Sequence, residues 1–192
     1  MDNFYVLLNR MKVIERWSLM RRTTKENLME HSAQVALLGQ ALALIKNKKF
    51  NGNVNVDRVA ALALYHDTAE VISGDLPTPI KYFNSDMIGA YKEIEDSVLD
   101  KFIEVAPDFA KDEYASYLRP DEDSEEYKIM KMADKLSAFI KCTEERATGN
   151  HEFDTSYGRL EKTLNALKDE HPELKYFLEN YMQGFGEPTD LI

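Results

Sequence analysis

Apolar residues recur at helical spacing along most of this chain. Phe4, Leu7, Leu8, Met11 and Ile14 mark one face of a helix predicted over residues 4–19. Thr23 followed by Glu26 has the form of a capping box, predicting a second helix to about Lys46 with Leu28, Val35, Leu38, Leu42 and Ile45 along its stripe. Lys48 to Asn55, with Asn51-Gly52-Asn53 inside it, reads as a turn, and Asp57 as the cap of a third helix from Arg58 to about Ile72. One glycine and two prolines exclude regular helix from Ser73 to Pro79. A fourth helix from Ser85 to Val105 ends before Pro107, and the stretch to Arg119 is weakly helical. Pro120 to Ser124 is an acidic loop whose serine caps a long helix to about Ala147, stopped by Gly149-Asn150. Two more helices fit 155–169 and 172–184, the latter with Pro172 at the favoured first position. No segment alternates like a strand and none repeats, so the expected fold class is all-α.

Composition narrows the setting. A length of 192 residues fits a single domain with an irregular tail from about residue 186. Only 8 Gly and 6 Pro are present, too few for a turn-rich β-sandwich. A net charge of −10 disfavours a phosphate-backbone footprint, so DNA and RNA are not expected partners, although a mononucleotide needs only one local basic pocket. Cys142 stands alone, which excludes an intrachain disulfide and fits a reducing compartment. The N-terminus lacks the pattern of a signal peptide, and the apolar run from Ala33 to Ile45 is short and interrupted by Gln34 and Gln40. The expectation is a cytoplasmic protein with no membrane partner.

The 4 histidines can be taken one by one. His66-Asp67 ends an otherwise apolar helical run from Val59, and burying that pair costs several kcal/mol unless it is paired or metal-bound. Glu70 follows one turn on, on the same face. His31 points into the apolar stripe of the second helix, one turn before Val35, and Asp134 lies between Lys131 and Lys135 on the long helix. Each has a plainer reading: a core His–Asp pair, a structural histidine, an exposed helix carboxylate, a lysine-neutralised aspartate. Together His31, His66, Asp67 and Asp134 make a two-imidazole, two-carboxylate set suited to a borderline divalent ion such as Mn²⁺, Co²⁺, Fe²⁺, Zn²⁺ or Ni²⁺. Four protein ligands leave positions open only on a five- or six-coordinate ion, which favours a catalytic over a structural site. His151 and His171 fall after the last ligand and are expected to face solvent; with no histidine between Asp67 and Asp134, one metal ion is expected rather than two.

The His31…His66-Asp67…Asp134 pattern resembles the HD-domain phosphohydrolases. The likeness extends through Asn9-Arg10, Ile14-Glu15-Arg16-Trp17, Glu30-His31-Ser32, Tyr65-His66-Asp67, Glu70, the run from Gly74-Asp75-Leu76-Pro77-Thr78-Pro79 to Asn84, and Ala133-Asp134, which look like the bacterial 5′-deoxynucleotidase family over roughly residues 4–185. That resemblance implies an HD-domain helical bundle and one divalent ion, Co²⁺, Mn²⁺ or similar, held by His31, His66, Asp67 and Asp134. It implies hydrolysis of deoxyribonucleoside 5′-monophosphates, with Glu70 and Asp67 in the chemistry and His31, Asp67 and Asp134 also facing substrate. Arg16, Trp17 and the loop Asp75, Leu76, Pro77 and Thr78 would hold the nucleotide, with Trp17 crowding the ribose 2′ position. Independently of the resemblance, Arg16 offers a two-pronged fork for oxyanions and Trp17 a rigid wall, though core packing also explains Trp17 and turn capping explains Asp75. A homodimer is implied as well, with Tyr157, Tyr176, Phe177, Tyr181 and Phe185 as candidates for an apolar patch.

Two other readings remain open from sequence. An HD hydrolase of a nucleoside triphosphate or an alarmone would need a denser basic cluster than Arg16, Arg21, Arg22 and Lys81 supply. A catalytically inactive nucleotide-binding regulator would have little use for an intact ligand set with Glu70.

Overall fold

The computed structural model describes residues 3–81 and 83–187, all helix, turn and loop apart from one isolated antiparallel bridge between Glu15 and Asn27. Ten α-helices run in the order α1 (Phe4–Asn9), α2 (Leu28–Lys49), α3 (Val56–Tyr65), α4 (Glu70–Ser73), α5 (Thr78–Lys81), α6 (Ser85–Val105), α7 (Lys111–Leu118), α8 (Glu125–Ala147), α9 (Asp154–Leu167) and α10 (Pro172–Asn180). The all-α expectation holds. The tail beyond Glu187, like Tyr82, lies outside the described residues.

The interior divides into two apolar clusters. The larger joins α2, α3, α8, α9 and α10 through Val35, Leu42, Val59, Leu62, Leu136, Ile140, Leu164 and Leu174, each 1% exposed or less. The smaller gathers Phe4, Met11, Leu28, Val71, Val98 and Phe102 from α1, the turn after it, the start of α2, α4 and α6. Close approach within the larger cluster depends on Gly39: a Cβ there would stand 2.8 Å from Val59 Cγ1. Fully burying each such aliphatic side chain contributes roughly 1.5–3 kcal/mol, so the three helices α2, α3 and α8 are held as one body.

Several boundaries differ from the sequence reading, each for a tertiary reason. The first helix stops early: a 3₁₀ turn over Arg10–Val13 follows α1, and Ile14 is extended (φ −92°, ψ 109°). Its neighbours then pair with the strand-like approach to α2, Arg16 N–H donating to Glu26 O at 2.9 Å and Leu28 N–H to Ile14 O at 3.0 Å. That pairing also displaces the expected capping box. The cap of α2 is Asn27, whose side chain accepts from Met29 and Glu30 N–H while the Glu30 carboxylate accepts from Asn27 N–H. Asn55 rather than Asp57 caps α3. The third helix does not continue to Ile72; it ends at Tyr65, and three-residue-spaced bonds (Thr68 N to Tyr65 O, Glu70 N to Asp67 O) carry the chain into α4. The proline loop holds one short helix, α5, which the sequence reading did not anticipate. By contrast α6 matches the expectation residue for residue, and Ser124 caps α8 as read.

α2 spans 22 residues and is long and apolar enough to cross a bilayer by length and composition, more so than the Ala33–Ile45 run suggested. It is nevertheless the central core helix, packed on α3, α8 and α10. The C-terminal aromatics differ in exposure, with Tyr176 half-buried. Phe177 is buried, Tyr157 and Phe185 pack on the larger cluster, and Tyr181 is exposed.

Candidate metal centre and active site

The site lies where the two apolar clusters meet. His31 projects from the first turn of α2, Asp134 from the middle of α8, and His66 caps the C-terminus of α3 with Asp67 next in the turn. His31 Nε2 stands 3.1 Å from Asp134 Oδ1 and 3.6 Å from Asp67 Oδ2; His66 Nε2 stands 3.2 Å from Asp67 Oδ2 and 3.8 Å from Asp134 Oδ1. Ligands about 2.1 Å from one ion and roughly 90–110° apart stand about 3.0–3.4 Å from one another, so this spacing suits a shared cation. Donor atoms of His31, His66 and Asp134 all fall within 4.8 Å of one another, the group among the described residues fit to hold a metal ion.

The imidazole hydrogen bonds support the same reading. His66 Nδ1–H donates to Ala63 O at 2.7 Å, the carbonyl a continuing helix would offer to the Asp67 N–H. This leaves the Nε2 lone pair facing the cluster, buried and without an aligned hydrogen-bond partner. His31 Nδ1 lies 3.1 Å from Ser137 Oγ, and that hydroxyl donates to Gln34 Oε1 at 2.6 Å, so its oxygen accepts and the network assigns the His31 proton to Nδ1. Both rings therefore turn an unprotonated Nε2 inward when a cation replaces the proton, as outer hydrogen bonds to metal-ligating histidines generally arrange. The local field favours positive charge. Burial lowers the His66 pKa, but Asp67 and Asp134 outweigh it and push it up to about 10. Burial would raise Asp67 and Asp134, yet both sit well below the usual carboxylate range: His66, Arg16 and His31 act on Asp67, and His31 and His66 on Asp134.

Glu70 takes the opposite direction. Burial, reinforced by the Asp67 and Asp75 charges, pushes its carboxyl up to about 9. The residue is 8% exposed and its Oε2 has no hydrogen-bond partner. Glu70 is thus a neutral acid at pH 7 beside ionised Asp67, two carboxyl groups driven apart by their surroundings as acid–base sites require.

Arg16 and Trp17 come from the non-helical segment before α2. Arg16 Nη1 donates to Asp67 Oδ2 at 3.1 Å, tying this segment to the metal cluster. Trp17 has φ +58°, a left-handed conformation costly for a bulky residue and typical of functional sites. Asp75 Oδ2 accepts its backbone N–H at 3.1 Å, and its indole Nε1–H donates to Glu26 Oε2 at 2.8 Å. Leu76 and Pro77 are half-buried beside Asp75, while Thr78 is exposed at the start of α5.

Sequence reading missed Glu26, Ser137 and Gln34. Glu26 was absorbed into a capping box, although Asn27-x-x-Glu30 has the same form one step on and is the box that forms. His151 is solvent-facing as expected, its side chain 83% exposed. His171 is not; it is 23% exposed and lies 3.4 Å from the buried Glu173.

A cleft of about 350 Å³ opens beside the cluster, lined by His66, Asp67 and Glu70 and farther out by Lys81, Tyr117 and Arg119. Arg16, Trp17 and the Asp75–Thr78 loop are not part of its wall; Arg16 meets the cluster through Asp67, Trp17 through Glu26 beside His31, and Asp75 holds the Trp17 backbone. Of the basic groups lining the cleft, Lys81 pairs with Glu95 at 3.1 Å, Arg119 with Asp96 and Asp100 at 2.9 and 2.8 Å, and Lys131 lies 3.7 Å from Asp134, while Lys92 is exposed.

Known proteins share both fold and sequence with this chain. An HD-domain phosphohydrolase from Listeria innocua superposes with a TM-score of 0.83 at 25% identity, covering 95% of this chain and 87% of that one. A cyanophage S-2L HD phosphohydrolase, solved with dA and one catalytic Zn²⁺ ion, superposes with a TM-score of 0.69 at 21% identity over 95% of this chain and 98% of its own. The helical body is that of an HD-domain phosphohydrolase. At the sequence level, residues 3–185 match the family described as 5′-deoxynucleotidase YfbR-like. A 5′-deoxynucleotidase from Enterobacter sp. (strain 638) and the 5′-deoxynucleotidase YfbR of Escherichia coli are each 47% identical over 192 residues, covering 100% of this chain and 96% of theirs. The chain belongs to the YfbR-like 5′-deoxynucleotidase family.

Proposed function

We propose that this protein hydrolyses deoxyribonucleoside 5′-monophosphates to a deoxyribonucleoside and phosphate, discriminating against ribonucleotides, with one divalent transition metal ion held by His31, His66, Asp67 and Asp134. The observation that carries the metal assignment is the buried, unpartnered His66 Nε2 facing His31 Nε2, Asp134 and Asp67 at ligand-like spacing. The substrate class follows from the family and from the dA and Zn²⁺ held by the cyanophage protein. A divalent ion bound there would neutralise phosphate charge and make a water nucleophilic near pH 7.

The chain's own groups supply the rest. Arg16, pinned by Asp67 and standing 3.5 Å from Glu26, presents its fork to the phosphate. Glu70, whose carboxyl burial pushes up in the metal-free site, is the group placed to give a proton to the departing 5′-oxygen as the phosphorus–oxygen bond breaks. Trp17 walls the 2′ position, and Asp75 orients that wall through its backbone. The net charge of −10 supports a small nucleotide rather than DNA or RNA, and the lone buried Cys142 a cytoplasmic setting. A homodimer is the assembly expected of the family, checked by light scattering.

Phosphate release from dTMP, dAMP and the matching ribonucleotides, with Co²⁺, Mn²⁺ or chelator, tests the reading. Metal-dependent turnover of the deoxy forms, reduced to background in Glu70→Ala, is expected. Tight nucleotide binding with no turnover in any metal would instead identify a sensor.

A further inference from the structure

Glu26 stands between the two halves of the site, and its two oxygens serve different partners. Oε2 accepts the Trp17 indole proton at 2.8 Å. Oε1 lies 3.3 Å from His31 Nδ1 and 3.5 Å from Arg16 Nε. The residue is only 9% exposed. Trp17 has need of such a hold. Its backbone is in the left-handed region, and the segment from Ser18 to Glu26 contains no α-helix to fix it. The far end of that segment is tethered separately: Thr23 and Thr24 N–H donate to the buried Glu145 carboxylate, which Lys141 neutralises at 2.6 Å. Between this tether and the metal cluster, the indole is oriented by Glu26, by Asp75 through the backbone, and by packing on Phe153, whose ring centroid lies 5.3 Å away.

We infer that Glu26 is the positioning residue for sugar selection: one carboxylate clamps the Trp17 indole to the same point that orients His31 and Arg16. Glu26 then links the 2′ wall directly to the phosphate-holding groups. This rests on the reading of Trp17 as the 2′ wall. An amide in place of the carboxylate cannot reproduce the clamp. With its oxygen toward Trp17 it turns an NH₂ on Arg16 Nε–H and on His31 Nδ1; flipped, it opposes two donors at the indole.

The test uses Glu26→Gln, which keeps the volume, and Glu26→Ala, each checked for folding by circular dichroism and thermal melting. Two quantities are read. The first is the ratio of kcat/KM for dTMP over its ribonucleotide counterpart, expected to fall about tenfold, the size of effect produced when a charge-assisted hydrogen bond is lost. A loss of folded protein lowers both rates and leaves the ratio alone. The second is the fluorescence of Trp17 in chelator, which needs no metal or turnover. Because it is the sole tryptophan, its emission should move to longer wavelength and acrylamide quenching should rise about twofold as the indole is released from a buried contact. A ratio unchanged within about twofold in both folded variants, against the tenfold expected of a lost charged contact, overturns the proposal. So does a changed ratio with unchanged Trp17 emission, which breaks the route through the indole. Absence of wild-type turnover on every nucleotide would count against the proposed activity instead, and the fluorescence comparison would then decide the contact alone.

Discussion

The metal cluster and the Arg16–Trp17 shelf lie side by side, joined through Asp67 and Glu26, yet the chain holds them by different means. His31, His66 and Asp134 are carried on α2, the end of α3, and α8, three helices locked by one apolar cluster. Arg16 and Trp17 sit on irregular backbone held by polar clamps, with Asp75, Glu26 and Glu145 each accepting from the segment. Ligand positions thus inherit the rigidity of a packed core, where even a methylene is felt. The shelf owes its placement to a few charged hydrogen bonds and can be retuned without disturbing the core. This division suits an enzyme whose chemistry is shared across a superfamily while its sugar selection is local.

Substitutions that strike one region and spare the other separate the two. Trp17→Ala should have the largest effect on selectivity, lowering the deoxy-to-ribo ratio of kcat/KM by about tenfold or more, as expected for opening a steric pocket by a few groups. Cation affinity in that variant should stay near wild type. A collapse of thermal stability with no change in the ratio would show that Trp17 is packing alone. Gly39→Val strikes the other region. A Cβ there already meets Val59 Cγ1 at 2.8 Å, so the branched side chain should force α2 from α3 and cost about 1–3 kcal/mol in denaturant unfolding. It should weaken cation binding while leaving the deoxy-to-ribo ratio unchanged, and a shift in the ratio with intact cation affinity would break the contrast.

A third test is a pH slope. Glu70 keeps its proton to about 9 in the folded protein, against an ordinary value of 4.5. Between those values the unfolded chain binds fewer protons than the native one, so this group makes stability fall as pH rises through that window. Glu70→Gln, neutral throughout, should therefore gain more thermal stability over wild type at pH 8 than at pH 5, measured in chelator. An equal difference at the two pH values would mean that Glu70 is ionised in the fold.

Much of the rigid region was legible in the sequence because helix periodicity and caps are local. Ser85 to Val105 and the Ser124 cap needed no tertiary knowledge, and His66-Asp67 stood out as polar residues at the end of an apolar run. The shelf was illegible for the opposite reason. Nothing near Ile14 says that it will pair with Leu28, nor near Thr23 that its partner is Glu145, more than a hundred positions away. Glu26 was misread because its local pattern fits a cap and its true partners, His31, Arg16 and Trp17, are set by that same fold-back. Even the His66–Glu70 relation held for a reason other than an unbroken helix, since a tightened turn brings Glu70 round.

Cation binding tests the account most directly. Isothermal titration of chelator-stripped protein with Mn²⁺ or Co²⁺ should show one site per chain in the wild type and none in His66→Ala or Asp134→Ala, both still folded by circular dichroism. Unchanged binding in those variants, or none in the wild type, would contradict it.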